Sequence, residues 1–147
     1  MLRIDDFVKS QLVLVGWQYG QMYDTGGHMC ACLVMSCIAN RVRAGYGDWL
    51  DVIEKIPLYA AEKTAPTWHP GRAVWERNFI KILQEVDGIF DGTTSVAKGK
   101  DIYGNVVMGK YWADLRHIET EFFRERILGD RENHPRLVDM NSFTIFA

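Results

Sequence analysis

The chain has 147 residues, 48% of them hydrophobic and 24% charged, with 17 basic and 19 acidic side chains and a formal net charge of −2. That length and balance fit one globular domain, 1–147, and exclude a disordered tail, since half the chain would be too small to bury a core of its own. No basic block draws the chain to a phosphate backbone, no apolar run reaches the ~20 residues that span a bilayer, and the acidic opening Met1-Leu2-Arg3-Ile4-Asp5-Asp6 lacks the charge of a secretory signal.

Neither nucleic acid nor a membrane is therefore expected as a partner. The chain is expected to stay in the cytoplasm, or to leave by a route that reads no signal peptide. The first element is an amphipathic helix over Asp6 to Met22, with Val8, Leu12, Val15 and Tyr19 at three- and four-residue steps. Gly16 and Gly20, four apart, clear a strip along it for another backbone or for a ligand. Asp24-Thr25-Gly26-Gly27 breaks this helix and caps the next.

From His28 to Arg43 the sequence is apolar on nearly every face, which marks a central helix packed on several sides. Arg41 and Arg43 favour the negative end of its dipole, and Gly45 and Gly47 stop it. Cys30, Cys32 and Cys37 crowd into this helix without the paired knuckles of a zinc site, so they read as free thiols used as small hydrophobes.

Asp48 caps a short helix carrying Trp49, Val52, Ile53 and Ile56, which Pro57 is expected to end. A long loop then runs to Gly71 with Tyr59, Trp68 and His69. Ala73 to Phe90 is a second amphipathic helix, its stripe formed by Trp75, Phe79, Ile82, Leu83, Val86 and Phe90. Ser95 to Lys110 has the composition of a hairpin turning at Tyr103-Gly104-Asn105. Glu119 to Leu128 reads as a last helix, and the tail ending in Phe143, Ile145 and Phe146 as a strand or extended segment. The expected fold is mainly α (an α+β arrangement), with four to five helices around the helix 28–43. The Asp130–Pro135 run is polar and distinctive, and no physical argument from sequence assigns it a role.

The order of these segments resembles the SleB/CwlJ-type cell-wall hydrolase family, especially its short phage-encoded members. The resemblance is carried by Ala31 to Val42, a small-and-apolar helix ending in Asn40-Arg41-Val42. Next come Asp51-Val52-Ile53 with Pro57-Leu58-Tyr59, Gly109-Lys110-Tyr111-Trp112, and Phe122-Phe123 followed by the Asn- and Phe-containing tail. It implies a lysozyme-like fold and action on the glycan strands of peptidoglycan. It also implies a glutamate as general acid, in an E-A-R-G-E motif just before the apolar helix.

The corresponding stretch here is Trp17-Gln18-Tyr19-Gly20-Gln21, which keeps the glycine and places Trp17 and Gln21 at the two acidic positions. A glutamine has a glutamate's shape but no carboxylic proton to give a leaving oxygen. Asp24 is the nearest acid downstream and the one local candidate for catalysis. The family's late Asn-His pair falls on Asn141-Ser142 or on Asn133-His134.

The resemblance implies Trp17, Gln21, Tyr59, Tyr111 and Trp112 as substrate-binding candidates. Trp17, Tyr19 and Tyr59 have a second reading as core or loop-stapling aromatics. If the segment of Tyr111 and Trp112 is extended, one faces inward and the other the groove. His28, His69, His117 and His134 are scattered singly, with no metal-ligand spacing and no phosphate loop nearby, so neither metal nor cofactor is expected. Two functions follow. One is a phage-type wall-hydrolase-like protein, in host cytoplasm or virion, that acts on or binds peptidoglycan with weak or lost glycosidase activity. The other is a non-catalytic virion structural or adaptor protein whose partners are phage structural proteins.

Overall fold

The structure is a computed structural model that describes residues 4–20, 27–61, 72–115, 120–140 and 143–147, apart from the side chains at 60, 61, 72–76 and 78. The chain forms two compact units, Met1–Ser95 and Val96–Ala147. The first is helical and the second carries small antiparallel sheets, so the whole is a helix-rich α+β protein. "Mainly α" describes only the first unit.

In the helical unit, α1 (Ile4–Gly20) packs along α2 (Gly27–Arg43), which also meets α3 (Trp49–Glu54) and α5 (Arg72–Asp91). The all-round apolar pattern of α2 has the expected consequence: every residue from Cys30 to Asn40 is buried. Gly16 and Gly20 take the backbone option left open by the sequence. A Cβ at Gly16 would lie 2.9 Å from the Met35 Cγ, and one at Gly20 only 2.7 Å from the Gly27 carbonyl oxygen. At Gly20 the two helices approach more closely than a side chain would allow, while at Gly16 the nearest atoms belong to the Met35 side chain.

Arg43 stands in the last turn of α2 with Arg41, as expected, and also serves a second helix. Its guanidinium donates to the carbonyls of Ile89 and Phe90 (3.0 and 3.3 Å), satisfying the last turn of α5, whose orphan carbonyls carry the negative end of the dipole. Asp48 caps α3 as expected, accepting from the Asp51 N–H at 2.9 Å. Pro57, expected to open a loop, instead begins the short helix α4 (Pro57–Ala61). A first-turn proline forfeits no hydrogen bond, because the N–H it lacks has no intrahelical partner there. The remainder of that loop, with Trp68 and His69, lies outside the described residues. On α5 the buried face is Ile82, Val86 and Ile89, while Leu83 is exposed, so the stripe read from sequence lies partly off the core.

Cys30, Cys32 and Cys37 are all free and buried. Burial pushes the Cys32 and Cys37 thiols up to about 12, with Glu85 adding to the effect at Cys32 and Arg41 opposing it at Cys37. A thiol that cannot ionise is a poor nucleophile. At pH 8 the native protein should therefore react with a thiol reagent on the order of a hundredfold more slowly than the urea-unfolded chain. Equal rates would show that α2 is not packed as described.

The second unit holds two sheets. Strands β1 (Lys98–Lys100) and β2 (Val106–Met108) form the expected hairpin, with Lys98 opposite Met108 and Lys100 opposite Val106. Strand β5 (Phe143–Phe146) runs antiparallel between β3 (Tyr111–Asp114) and β4 (Arg136–Met140). All four residues of β5 are buried, as expected of a strand covered on both faces and paired at both edges. Thr144 is tolerated there because its hydroxyl donates to Asp139 Oδ1 at 3.0 Å.

The last helix, α6 (Phe123–Leu128), is wound as a π-helix rather than as the α-helix its composition predicts. The wider turn is visible at its end, where the Gly129 N–H reaches the carbonyl of Arg124, five residues back, at 2.9 Å. It places Phe123 edge-on to Phe146 with ring centres 5.7 Å apart, and buries Ile127.

Candidate functional site

The site residues read from sequence fall in both units. Gln21 and Asp24 lie outside the described residues. Trp17 is buried in α1 at 6% exposure, with its indole tilted against Phe79 at 5.4 Å. Tyr59 is also buried and donates its hydroxyl to Gln11 Oε1 at 2.7 Å, tying α4 to α1. Burial, with Glu54 adding to it, raises its pKa, so it remains a hydrogen-bond donor. Both aromatics are framework side chains. A groove of about 400 Å³ opens between α1 and α5, where Lys9 and Asp87 form an ion pair at 3.1 Å. Phe79 forms part of its wall, so Trp17 stands directly behind it.

Tyr111 and Trp112 lie on β3, extended as expected and half-buried, and alternation turns them to opposite faces of the sheet. Tyr111 meets His134 edge-on, with ring centres 5.3 Å apart and planes at 86°. His134 Nδ1 is 2.7 Å from the carbonyl oxygen of Ala147. An N–H at Nδ1 donated to that carbonyl would leave Nε2 free to accept or donate elsewhere.

His134 lines a small cavity of about 170 Å³ together with Arg131 and Arg136, over a floor of Ile127, Leu128 and Phe146. The turn that presents these groups is built by Asp130. Its carboxylate accepts from the Asn133 side-chain amide (2.9 Å) and backbone N–H (3.3 Å), and its carbonyl accepts from the His134 N–H (2.9 Å). Those bonds to Asn133 lower the Asp130 pKa, with His134 contributing further.

The Asp130–Pro135 run, unassigned from sequence, is thus a turn that places His134 beside Tyr111 and, with Arg131, at the cavity. The available signal was the Asp-x-x-Asn spacing, which lets an aspartate cap its own turn. Chemically this cluster can hold an anionic or hydrogen-bonding group against an apolar floor. Among the described residues no three His, Cys, Asp or Glu side chains gather as a metal ion would need. No helix is long and apolar enough to cross a membrane, among those residues. Comparisons with family models, curated proteins and solved structures return no match.

Proposed function

We propose that this chain is a lysozyme-like, SleB/CwlJ-type wall protein of the short phage-encoded kind, which engages peptidoglycan glycan strands with weak or lost glycosidase activity. The observation that carries the reading is that the motifs of the resemblance fall one to an element and in order. Ala31 to Val42 lies in α2, Asp51-Val52-Ile53 in α3, Pro57-Leu58-Tyr59 opens α4, Gly109 to Trp112 leads into β3, Phe122-Phe123 starts α6, and the Phe-containing tail ends in β5. The close α1–α2 crossing at Gly20 gives a packing reason for the glycine of the Trp17–Gln21 motif.

In this reading Trp17 and Tyr59 hold the frame, while Gln21, Tyr111 and Trp112 contact the glycan. Gln21 hydrogen-bonds a sugar but cannot protonate the glycosidic oxygen. Asp24 is the one acid available near that position. The same lack of an acid at positions 17 and 21 favours a second reading, a non-catalytic virion structural or adaptor protein that reuses the lysozyme-like fold.

A turbidity assay on purified cell walls tests the first reading. The wild type should clear walls slowly or not at all, and Gln21→Glu should gain clearing. General-acid catalysis contributes roughly 10²–10⁴-fold, so the gain should be large if the frame is intact. Wild-type clearing that survives both Asp24→Asn and Gln21→Ala would overturn this assignment of the site.

A further inference from the structure

The β1–β2 hairpin has one face bound and one face open. On the bound side Gly99 lies against β4, so close that a Cβ there would sit 2.8 Å from the Leu137 carbonyl oxygen. On the open side, Met108 is 36% exposed, Val106 67%, and Ile102 and Tyr103 at the tip 77% and 78%. Lys98 and Lys100 share that side, cross-strand from Met108 and Val106, and neither is ion-paired among the described residues.

The tip is held in shape from within. The Asp101 carboxylate accepts from the backbone N–H groups of Tyr103 and Asn105, both at 2.9 Å, and Gly104 takes the positive φ of 83° that closes the turn. Those hydrogen bonds, the one from Asn105 first, lower the Asp101 pKa, and they turn the nearest acid into the loop. Four large apolar side chains are thus displayed on a fixed support, at a cost in hydration that folding alone does not require.

We propose that this hairpin docks end-on into the headgroup region of an anionic lipid bilayer. The charge complements such a surface, since between Val96 and Gly109 the hairpin carries Lys98 and Lys100 against the single carboxylate of Asp101 and is net positive. The order along the hairpin fits end-on entry. Ile102 and Tyr103 lead, Lys100 follows two residues behind, and a strand rises about 3.3 Å per residue. With the apolar tip about 5–10 Å deep, at the acyl boundary, Lys100 reaches phosphate depth and its stem can extend along the apolar layer. Tyrosine suits that boundary, with an apolar ring and a polar hydroxyl. Ile102, Val106 and Met108 offer a glycan or a nucleic acid neither a ring to stack on nor a hydrogen-bonding group, and on this side Tyr103 alone supplies both. Interfacial docking needs no spanning segment, so the shortness of the apolar runs does not oppose it.

The test is co-sedimentation of the full chain with vesicles of pure phosphatidylcholine and with vesicles of equal parts phosphatidylcholine and phosphatidylglycerol. The wild type should pellet with the anionic vesicles, by on the order of tenfold over the neutral ones at low salt. Both the Ile102→Ser/Tyr103→Ser variant and the Lys98→Glu/Lys100→Glu variant should lose that preference while keeping the wild-type circular dichroism and unfolding midpoint. An environment-sensitive dye on Ile102→Cys, selective because the native thiols are buried, should shift to the blue when anionic vesicles are added. Three results would overturn the proposal: no wild-type retention on anionic vesicles, no dye shift despite retention, or concentration-dependent dimers that the tip variant abolishes. The last would assign the surface to a second copy of the chain.

Discussion

Gly20→Val should destabilise the helical unit by about 3 kcal/mol, lowering its urea midpoint by roughly 2 M. The new Cβ would fall 2.7 Å from the Gly27 carbonyl oxygen and 3.2 Å from the Ala31 Cβ, so α1 and α2 must separate along their strip. Replacing a helical glycine ordinarily gains up to about 1 kcal/mol of propensity, less for a β-branched residue, and this does not offset a clash with backbone. Gly16→Ala is the internal control. Its closest contact is the Met35 side chain, which can swing aside, so the loss there should be about 1 kcal/mol or less. Equal effects at the two positions would contradict the crossing described.

Ile38→Ala should cost about 3–4 kcal/mol, because Ile38 is completely buried in the helix that α1, α3 and α5 surround. Little room exists for neighbours to close over the cavity, and hydrogen exchange along α2 should quicken together with the drop in urea midpoint. A loss below about 1 kcal/mol would mean that α2 is not the centre of its unit.

Legibility in the sequence followed periodicity and local chemistry. The helix α2 stood out because an apolar residue on every face has no surface reading. The Asp48 cap and the hairpin turn were readable because their signals lie within a few residues. Three features were not readable. A first-turn proline looks the same as a terminating one until the next turn is seen, so Pro57 read as a loop residue. The π-winding of Phe123–Leu128 has no local signature, since Phe123 and Ile127, four apart, would share a face of an ordinary α-helix as well. The insertion of β5 between β3 and β4 is a long-range choice that no local pattern encodes.

The candidate site divided in the same way. Aromatic character marked Trp17 and Tyr59 without fixing that both pack inward: for Trp17 core and groove were equally open, while for Tyr59 the sequence favoured stapling to the core. His134 could not be joined to Tyr111 from sequence, because the turn built by Asp130 and the pairing of β3 with β5 bring them together from 23 positions apart.

Retention on insoluble peptidoglycan is the measurement that bears most directly on the proposed function. The purified wild type should co-pellet with the walls and be released by soluble glycan fragments. Tyr111→Ala and Trp112→Ala should weaken retention without changing the unfolding midpoint by more than about 2 kcal/mol equivalent, as expected for half-buried side chains. A wild-type chain that stays in the supernatant at every wall concentration would contradict wall recognition and leave the virion structural or adaptor role in its place.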